Sequence, residues 1–248
     1  DDPLAIEPAA LAKRLGDPYL CTDRRQLDRL GAFAAEVGES ATFEKLARRA
    51  FIPAEIDDLS NSGRTLAPRA DDVAFIQFSS GSTSEPKGVV LTHGNILANT
   101  RSASRACGFS ERDVSLSWMP LTHDMGLIGF HLMMFANAME IHLMPTELFV
   151  RRPLLWLEFA SQRRATLTSS PNFGYRQLLK VLGARTLDGI DLASVRLIFN
   201  GAEPISVELC DEFMARMAPY GLRKSAMFPV YGLAEASLAM SFPPLGGE

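Results

Sequence analysis

From Val114 onward the chain alternates short apolar runs with longer segments whose apolar residues recur at helical spacing. The strand-like runs are Val114–Trp118, Ile141–Met144, Thr166–Thr168, Val195–Phe199 and Met227–Val230. The helix-like segments are Asn95–Cys107, Asp124–Ala138, Arg152–Arg163, Pro171–Leu182 and Pro204–Met217. Short apolar runs bounded by turn residues read as buried strands, and an i, i+3, i+4 recurrence reads as a helix with one apolar face. Strands that recur after helices pair most readily in parallel, so the pattern predicts an α/β fold of layered, mostly parallel sheets flanked by helices. Loops that hold ligands then gather at the carboxyl ends of the strands.

Composition fits such a core, with 47% hydrophobic and 22% charged residues among 248, and a chain of this length buries most of its apolar surface. A net charge of −4 gives no electrostatic footprint for nucleic acid, and the pairs Arg48/Arg49, Arg151/Arg152 and Arg163/Arg164 fall on separate helix-like segments as solvated faces. Cys21, Cys107 and Cys210 are too far apart for a C-x-x-C motif and odd in number, which predicts a reducing, cytoplasmic setting. The longest apolar stretch, Met125–Met139, is interrupted by His131 and Asn137 and falls short of the roughly 20 residues that span a bilayer, so it reads as a buried helix. The first residues, DDPLAIEPAALAKRL, do not form a secretory signal.

Residues 1–70 carry helical patterns at Pro8–Leu15, Arg24–Val37 and Phe43–Ala50 and a short strand-like run at Phe51–Ile56. They read as lead-in helices and a linker belonging to the same large domain as the core, 71–248. The polar stretch Asn61–Asp71 is the surface connection between the two parts.

The run FSSGSTSEPKGVVLTHGN, Phe78–Asn95, places hydroxyls, glycines and a lysine between two strand-like segments, Val73–Phe78 and Gly88–Leu91. Ser79, Ser80, Ser82, Thr83 and Ser84 offer donors to anionic oxygens, Gly81 and Gly88 permit close backbone approach, and Lys87 adds charge. The spacing is not that of a Walker A loop, because Pro86 stands where its second glycine belongs and Gly88 where its Ser or Thr belongs. Neither a G-x-S-x-G elbow nor a Ser-x-x-Lys pair is present for a serine nucleophile. The bland alternative is an ordinary polar hairpin loop.

Four further segments fall at predicted strand ends. In SWMPLTHDMGLIG, Ser117–Gly129, His123 and Asp124 sit at a helix start; the positive helix end predicts a neutral imidazole, and Asp124 reads as a cap. In TLTSSPNFGY, Thr166–Tyr175, Ser170 reads as the N-cap and Pro171 as the first helical residue, with Asn172 and Phe173 open to cap and core roles or to pocket lining. In LIFNGAEPIS, Leu197–Ser206, the small residues Gly201 and Ala202 leave room for a flat ring before Pro204 starts a helix. In FPVYGLAEASL, Phe228–Leu238, Glu235 opens a helix as a dipole partner or a Mg²⁺ ligand. Met119, Met125, Met133 and Met134 at helical spacing read as plain core.

Taken together, these motifs resemble the adenylate-forming superfamily of acyl-CoA synthetases, fatty acyl-AMP ligases, peptide-synthetase adenylation domains and luciferases, closest to the fatty acyl-AMP ligases. The resemblance covers about two thirds of the chain, from Ser79 to Glu235, and marks it as part of the family's large domain without the C-terminal lid. It implies ATP-dependent activation of a carboxylic acid, most closely a fatty acid, to an acyl-adenylate with release of pyrophosphate, AMP leaving when the acyl group passes to a carrier-protein thiol. The alternatives are an acyl-CoA synthetase that uses coenzyme A and a non-catalytic nucleotide-binding module. By resemblance, Ser79, Ser80, Gly81, Ser82, Thr83, Ser84, Lys87 and Gly88 bind phosphates. Gly201, Ala202, Glu203, Tyr231, Gly232, Leu233 and Ala234 border the adenine and its phosphate, and Glu235 binds Mg²⁺. His123, Asp124, Asn172 and Phe173 face the acid, with His123, Lys87 and Glu235 as the catalytic set. Two positions depart from the common family pattern: Ser84 replaces a glycine, and Ala234 replaces a threonine and so removes one hydroxyl contact to phosphate.

Overall fold

A computed structural model describes residues 11–16, 18–56, 60, 63, 65–79 and 87–246. The chain divides into two compact units, Asp1–Ala67 with Phe78–Lys87, and Pro68–Gln77 with Gly88–Glu248.

In the first unit, β1 (Leu20–Cys21) pairs in parallel with β2 (Ala50–Phe51). Between them lie α1 (Arg24–Glu36) and α2 (Ser40–Ala47). The Asp23 carboxylate caps α1 by accepting from the Gln26 N–H at 2.7 Å, satisfying one of the donors that a helix start leaves free. The strand expected over Phe51–Ile56 shrinks to its first residue and gives way to a 3₁₀ turn at Pro53–Glu55. Pro53 lacks the N–H that a ladder would use and starts that turn instead.

β3 (Val73–Ser79) and β4 (Lys87–Thr92) pair as a two-stranded sheet, of which Val73–Gln77 and Gly88–Thr92 belong to the second unit. Next comes α3 (His93–Ala106), opened by a capping box in which Thr92 Oγ1 accepts from the Asn95 N–H and Asn95 Oδ1 from the Thr92 N–H. Five strands then form one parallel sheet. They are β5 (Val114–Ser117), β6 (Glu140–Leu143), β7 (Leu167–Ser169), β8 (Leu197–Asn200) and β9 (Met227–Pro229), in the order β6-β5-β7-β8-β9. The α/β architecture expected from the alternation is the one observed. β7 and β8 are buried along their whole length, as strands covered on both faces must be. The edge strand β9 carries Pro229, which is tolerated where no further neighbour needs its N–H.

Helices α5 (Thr146–Arg151), α6 (Leu154–Gln162), α7 (Asn172–Leu182) and α8 (Val207–Met217) follow β6, β7 and β8, while α4 (Met133–Ala136) precedes β6. Their aromatic side chains interlock, with Trp118 stacked on Phe149 at 3.8 Å and Tyr175 against Phe213 at 4.7 Å. Three helix starts differ from expectation. Residues Met125–Leu132 form a π-helix that runs into α4. Pro171, not Ser170, occupies the cap of α7, because the Ser170 hydroxyl is spent on the Pro171 carbonyl. Ser206 caps α8 through the Leu209 N–H, so Pro204 stays in the loop.

At the amino ends of the strands one ion pair joins three of them. The Arg196 guanidinium grips Asp113 through two hydrogen bonds of 2.7 and 2.8 Å and also reaches the carbonyls of Cys107 and Gly108. Thr166 Oγ1 donates to the same carboxylate at 2.8 Å. Burial pushes the Asp113 carboxyl up, but the hydrogen bonds from Arg196, Thr166 and the Ser110 N–H outweigh it and hold the group below its ordinary value. A carboxylate with a depressed folded pKa stabilises fully above its unfolded value of about 3.9 and loses that contribution as pH falls through the folded value. Asp113→Asn is expected to destabilise the protein by about 2 kcal/mol at neutral pH, between the limits for exposed and fully buried pairs. The difference from wild type in urea midpoint should shrink in acid; a difference independent of pH would contradict this account.

Candidate active site

The parallel sheet sets the carboxyl ends of β5, β8 and β9 along one edge, and the segments that follow them enclose a cavity of about 190 Å³. Its mouth is formed by His123, Asp124, Ala202, Tyr231 and Gly232. Tyr231 is 62% exposed, whereas Ala103, Cys107 and Met134 at the other extreme are at most 1% exposed. Phe130 and Phe199, edge to face at 5.6 Å, form one apolar wall. Burial pushes the Cys107 thiol up to about 12, against the pull of Arg196, so it stays protonated and behaves as a small apolar group. The cavity is therefore polar at its entrance and apolar at its floor.

The π-helix supplies much of that lining through Met125, Gly129 and Phe130, and α4 adds Met133. Its first turn lies directly on the segment leaving β5. A Cβ on Gly126 would stand 2.1 Å from the Pro120 carbonyl oxygen, so only glycine fits there.

At the helix start, His123 Nδ1 lies 2.8 Å from Asp124 Oδ1. The Met125 N–H approaches the same carboxylate oxygen at 2.6 Å and Nδ1 at 3.2 Å. The shorter contacts fit a protonated Nδ1 that donates to Asp124, which also takes the Met125 N–H. The hydrogen bond that His123 donates to Asp124 raises the imidazole pKa, burial opposes it, and the carboxylate charge adds to the rise. The helix end alone would lower the imidazole pKa; the observed direction is the opposite, because a full negative charge at contact distance outweighs the roughly half charge of a helix terminus.

Of the residues singled out from sequence, His123, Asp124, Gly201, Ala202, Tyr231 and Gly232 line this one cavity. Asn172, Phe173 and Glu203 form a separate cluster. The Phe173 N–H donates to Glu203 Oε1 at 2.7 Å, the Asn172 amide donates to the Pro204 carbonyl, and the Asn200 amide donates to Asn172 Oδ1 at 3.3 Å. Ser79 ends β3, Lys87 opens β4 and Gly88 lies within it. Ser80, Gly81, Ser82, Thr83 and Ser84 lie outside the described residues.

Leu233, Ala234 and Glu235 lie on a tight turn between β10 (Tyr231–Gly232) and β11 (Ala239–Ser241). The helix expected to open at Glu235 is a single 3₁₀ turn, Ala234–Ala236. The turn closes through the Leu233 N–H on the Leu238 carbonyl at 2.9 Å. A Cβ on Gly232 would lie 1.9 Å from the Leu238 carbonyl oxygen, so the hairpin requires glycine. The Glu235 side chain is exposed, and its hard oxygen donors suit Mg²⁺, which takes one or two carboxylates and completes its shell with phosphate oxygens and water.

Sequence reasoning passed over Met125, Met133 and Met134, which are buried as core residues are and also line the cavity.

Comparison with known proteins agrees with this geometry. The profile described as AMP-binding enzyme matches residues 11–248. The chain is 38% identical over 173 residues to a medium-chain-fatty-acid acyl-carrier-protein ligase of Teredinibacter turnerae, covering 70% of this chain and 27% of that protein. The fatty acyl-adenylate ligase from L. pneumophila, solved with acyl adenylate and pyrophosphate, is 36% identical with a TM-score of 0.70, over 73% of this chain and 32% of that one. The adenylation domain of a keto acid-selecting NRPS module, bound to keto acyl adenylate, is 29% identical with a TM-score of 0.82, over 96% of this chain and 43% of that one. The chain thus spans less than half the length of each of these relatives.

Replacing Asp124 with Asn should lower the His123 pKa, read from its imidazole resonances by NMR. In wild type the midpoint should exceed the ordinary value of about 6.5. A raised histidine pKa stabilises fully below that ordinary value and is lost as pH rises through the folded one, so Asp124→Asn should cost stability at pH 6 and little at pH 9. Equal midpoints in the two proteins would contradict the pairing.

Proposed function

Since the chain belongs to the AMP-binding enzyme family, we propose that the protein activates a fatty acid with ATP to an acyl-adenylate, releasing pyrophosphate, and passes the acyl group to a carrier-protein thiol. The observation that carries the reading is the gathering of HDM, GA and YG segments, from distant parts of the chain, around the mouth of one cavity with an apolar floor. The carrier-protein acceptor follows the similarity to the Teredinibacter turnerae acyl-carrier-protein ligase.

In this reading the alkyl chain lies towards Ala103, Cys107 and Met134, and its carboxylate stays at the mouth beside His123. An imidazole whose pKa Asp124 raises favours the carboxylate as an anion there and holds it for attack. One carboxylate oxygen bonds to the α-phosphorus, and the bond from that phosphorus to the oxygen bridging the α- and β-phosphates breaks, the electron pair leaving with pyrophosphate. Such catalysis is positioning and charge neutralisation. Ser79, Ser80, Gly81, Ser82, Thr83, Ser84, Lys87 and Gly88 are assigned to the phosphates. Gly201, Ala202, Tyr231, Gly232, Leu233 and Ala234 are assigned to the adenosine side. Asn172, Phe173 and Glu203 support these walls through the cluster described above. Glu235 would hold Mg²⁺, which when bound offsets negative charge on the phosphate oxygens.

The test is acid-dependent ATP–pyrophosphate exchange by the whole protein, with mass spectrometry of the products formed from a panel of carboxylic acids, coenzyme A and carrier proteins. Glu235→Gln is expected to lower exchange at least about tenfold, equivalent to ~1.4 kcal/mol in the barrier. Wild-type exchange in that variant would remove the metal assignment. Ala103→Leu, which fills the floor, should cut kcat/KM for the longest accepted acid at least about tenfold and for the shortest about twofold or less. A uniform loss along the series would contradict the placement of the alkyl chain.

A further inference from the structure

The turn that carries Glu235 is gripped by a single side chain from another element. Asn99 of α3 donates from Nδ2 to the carbonyls of Ala236 at 3.1 Å and Ala239 at 2.8 Å, and its Oδ1 accepts from the Ala239 N–H at 3.2 Å. One primary amide thus engages three backbone groups on the two sides of Ser237. Ser237 is 3% exposed and has φ +71°, a left-handed conformation that a residue with a Cβ adopts only where its surroundings enforce it. Besides the pairing of β10 with β11, the turn closes on itself through the Leu233–Leu238 bond already described and the short 3₁₀ contacts of Ala236 and Ser237.

An asparagine inside a helix sacrifices helix propensity. Here its amide is directed at a segment about 140 residues away in the chain. The same helix directly follows β4, the strand that begins at Lys87.

We infer that Asn99 is a positioning residue for the Glu235 carboxylate: by fixing Ala236 and Ala239 it holds the 3₁₀ turn in the one conformation that presents Glu235 to the metal. This rests on the reading of Glu235 as a Mg²⁺ ligand. Asn99 itself touches neither metal nor nucleotide in this role. Its loss therefore affects the geometry of the carboxylate and leaves the acid-binding cavity as it is.

Two variants test it. Asn99→Ala removes all three hydrogen bonds, and Asn99→Asp keeps the size and the acceptor but removes both donors and sets a carboxylate against two carbonyl oxygens. Without nucleotide or metal, amide hydrogen exchange at Ala239 and across residues 233–239 should accelerate at least about tenfold in both variants, while the amides of β7 and β8 stay protected. In acid-dependent exchange assays, the Mg²⁺ concentration for half-maximal rate should rise at least about fivefold, with KM for the acid within about twofold of wild type. Unchanged hydrogen exchange in the turn would overturn the inference, as would an accelerated turn with an unchanged Mg²⁺ requirement. Glu235→Gln separates the two levels. If it leaves the Mg²⁺ requirement unchanged, the metal reading falls and this role with it. If it raises the requirement while Asn99→Ala behaves as wild type, the role of Asn99 alone is refuted.

Discussion

Parallel pairing is the constraint from which the rest of the site follows. When β6, β5, β7, β8 and β9 all run the same way, each strand delivers its carboxyl end to the same edge. Segments separated by a hundred residues in the chain must then lie side by side: Trp118–Asp124 after β5, Ser170–Phe173 after β7, Gly201–Pro204 after β8 and Val230–Gly232 around β9. The chain steps from β5 to β6 on one side and from β7 through β9 on the other, so its direction across the sheet reverses between β5 and β7. Ligands in open α/β sheets sit outside the carboxyl ends near such reversals. Alternation along β8 then divides the faces, sending Phe199 into the cavity beside Phe130 and Asn200 towards Asn172 and Cys210.

The gradient along the cavity restricts what can enter and which way round. A charged group at the floor would lose its hydration among Phe130, Met134 and a protonated Cys107, a cost of several kcal/mol without a partner. At the mouth it remains near water and beside an imidazole that Asp124 biases towards its charged form. A molecule with an anionic head and an apolar tail has only one favourable orientation there. The same two residues do a structural task as well, since Asp124 takes the first N–H of the π-helix while it holds His123.

Strand positions and helix positions are legible in the sequence because buried strands and amphipathic helices leave periodic apolar patterns, and the expected and observed elements of the sheet differ by a residue or two at their ends. Helix starts are less legible, since the cap is decided by which side chain reaches which N–H. Ser170 and Ser206 are equally good caps by type, yet the Ser170 hydroxyl turns to the Pro171 carbonyl and only Ser206 caps. The π-helix has no distinguishing pattern either, because Met125–Leu132 is apolar almost all round. Within the candidate site, His123, Tyr231 and Gly201 stand at strand ends where motif reading looks for them. Asn99, Cys107 and Met134 do not, because their roles depend on contacts to segments remote in sequence. The upward shift of the His123 pKa is a similar case, since it rests on the distance to its neighbour's carboxylate and not on its place at a helix end.

Backbone strain separates the candidate site from the rest of the described chain. Four described non-glycine residues have positive φ: Ala138, Arg164, Ala202 and Ser237. Ala138 and Arg164 close helices in the ordinary way, each followed by a residue whose N–H reaches back five positions, Met139 to Met134 and Ala165 to Ala160. Ala202 and Ser237 close no helix of that kind. Each costs roughly 1 to 2 kcal/mol relative to a right-handed conformation, and each is flanked by side-chain hydrogen bonds from a distant element. Asn172 takes the Pro204 carbonyl and Glu203 takes the Phe173 N–H around Ala202, while Asn99 takes Ala236 and Ala239 around Ser237. Strain at these two turns and the amide and carboxylate grips beside them are two sides of one arrangement: the grips hold open conformations that the local sequence would not keep by itself. Those turns carry Ala202 at the cavity mouth and Glu235 beside it in sequence to Tyr231, which is where a fixed backbone geometry matters most to a bound ligand.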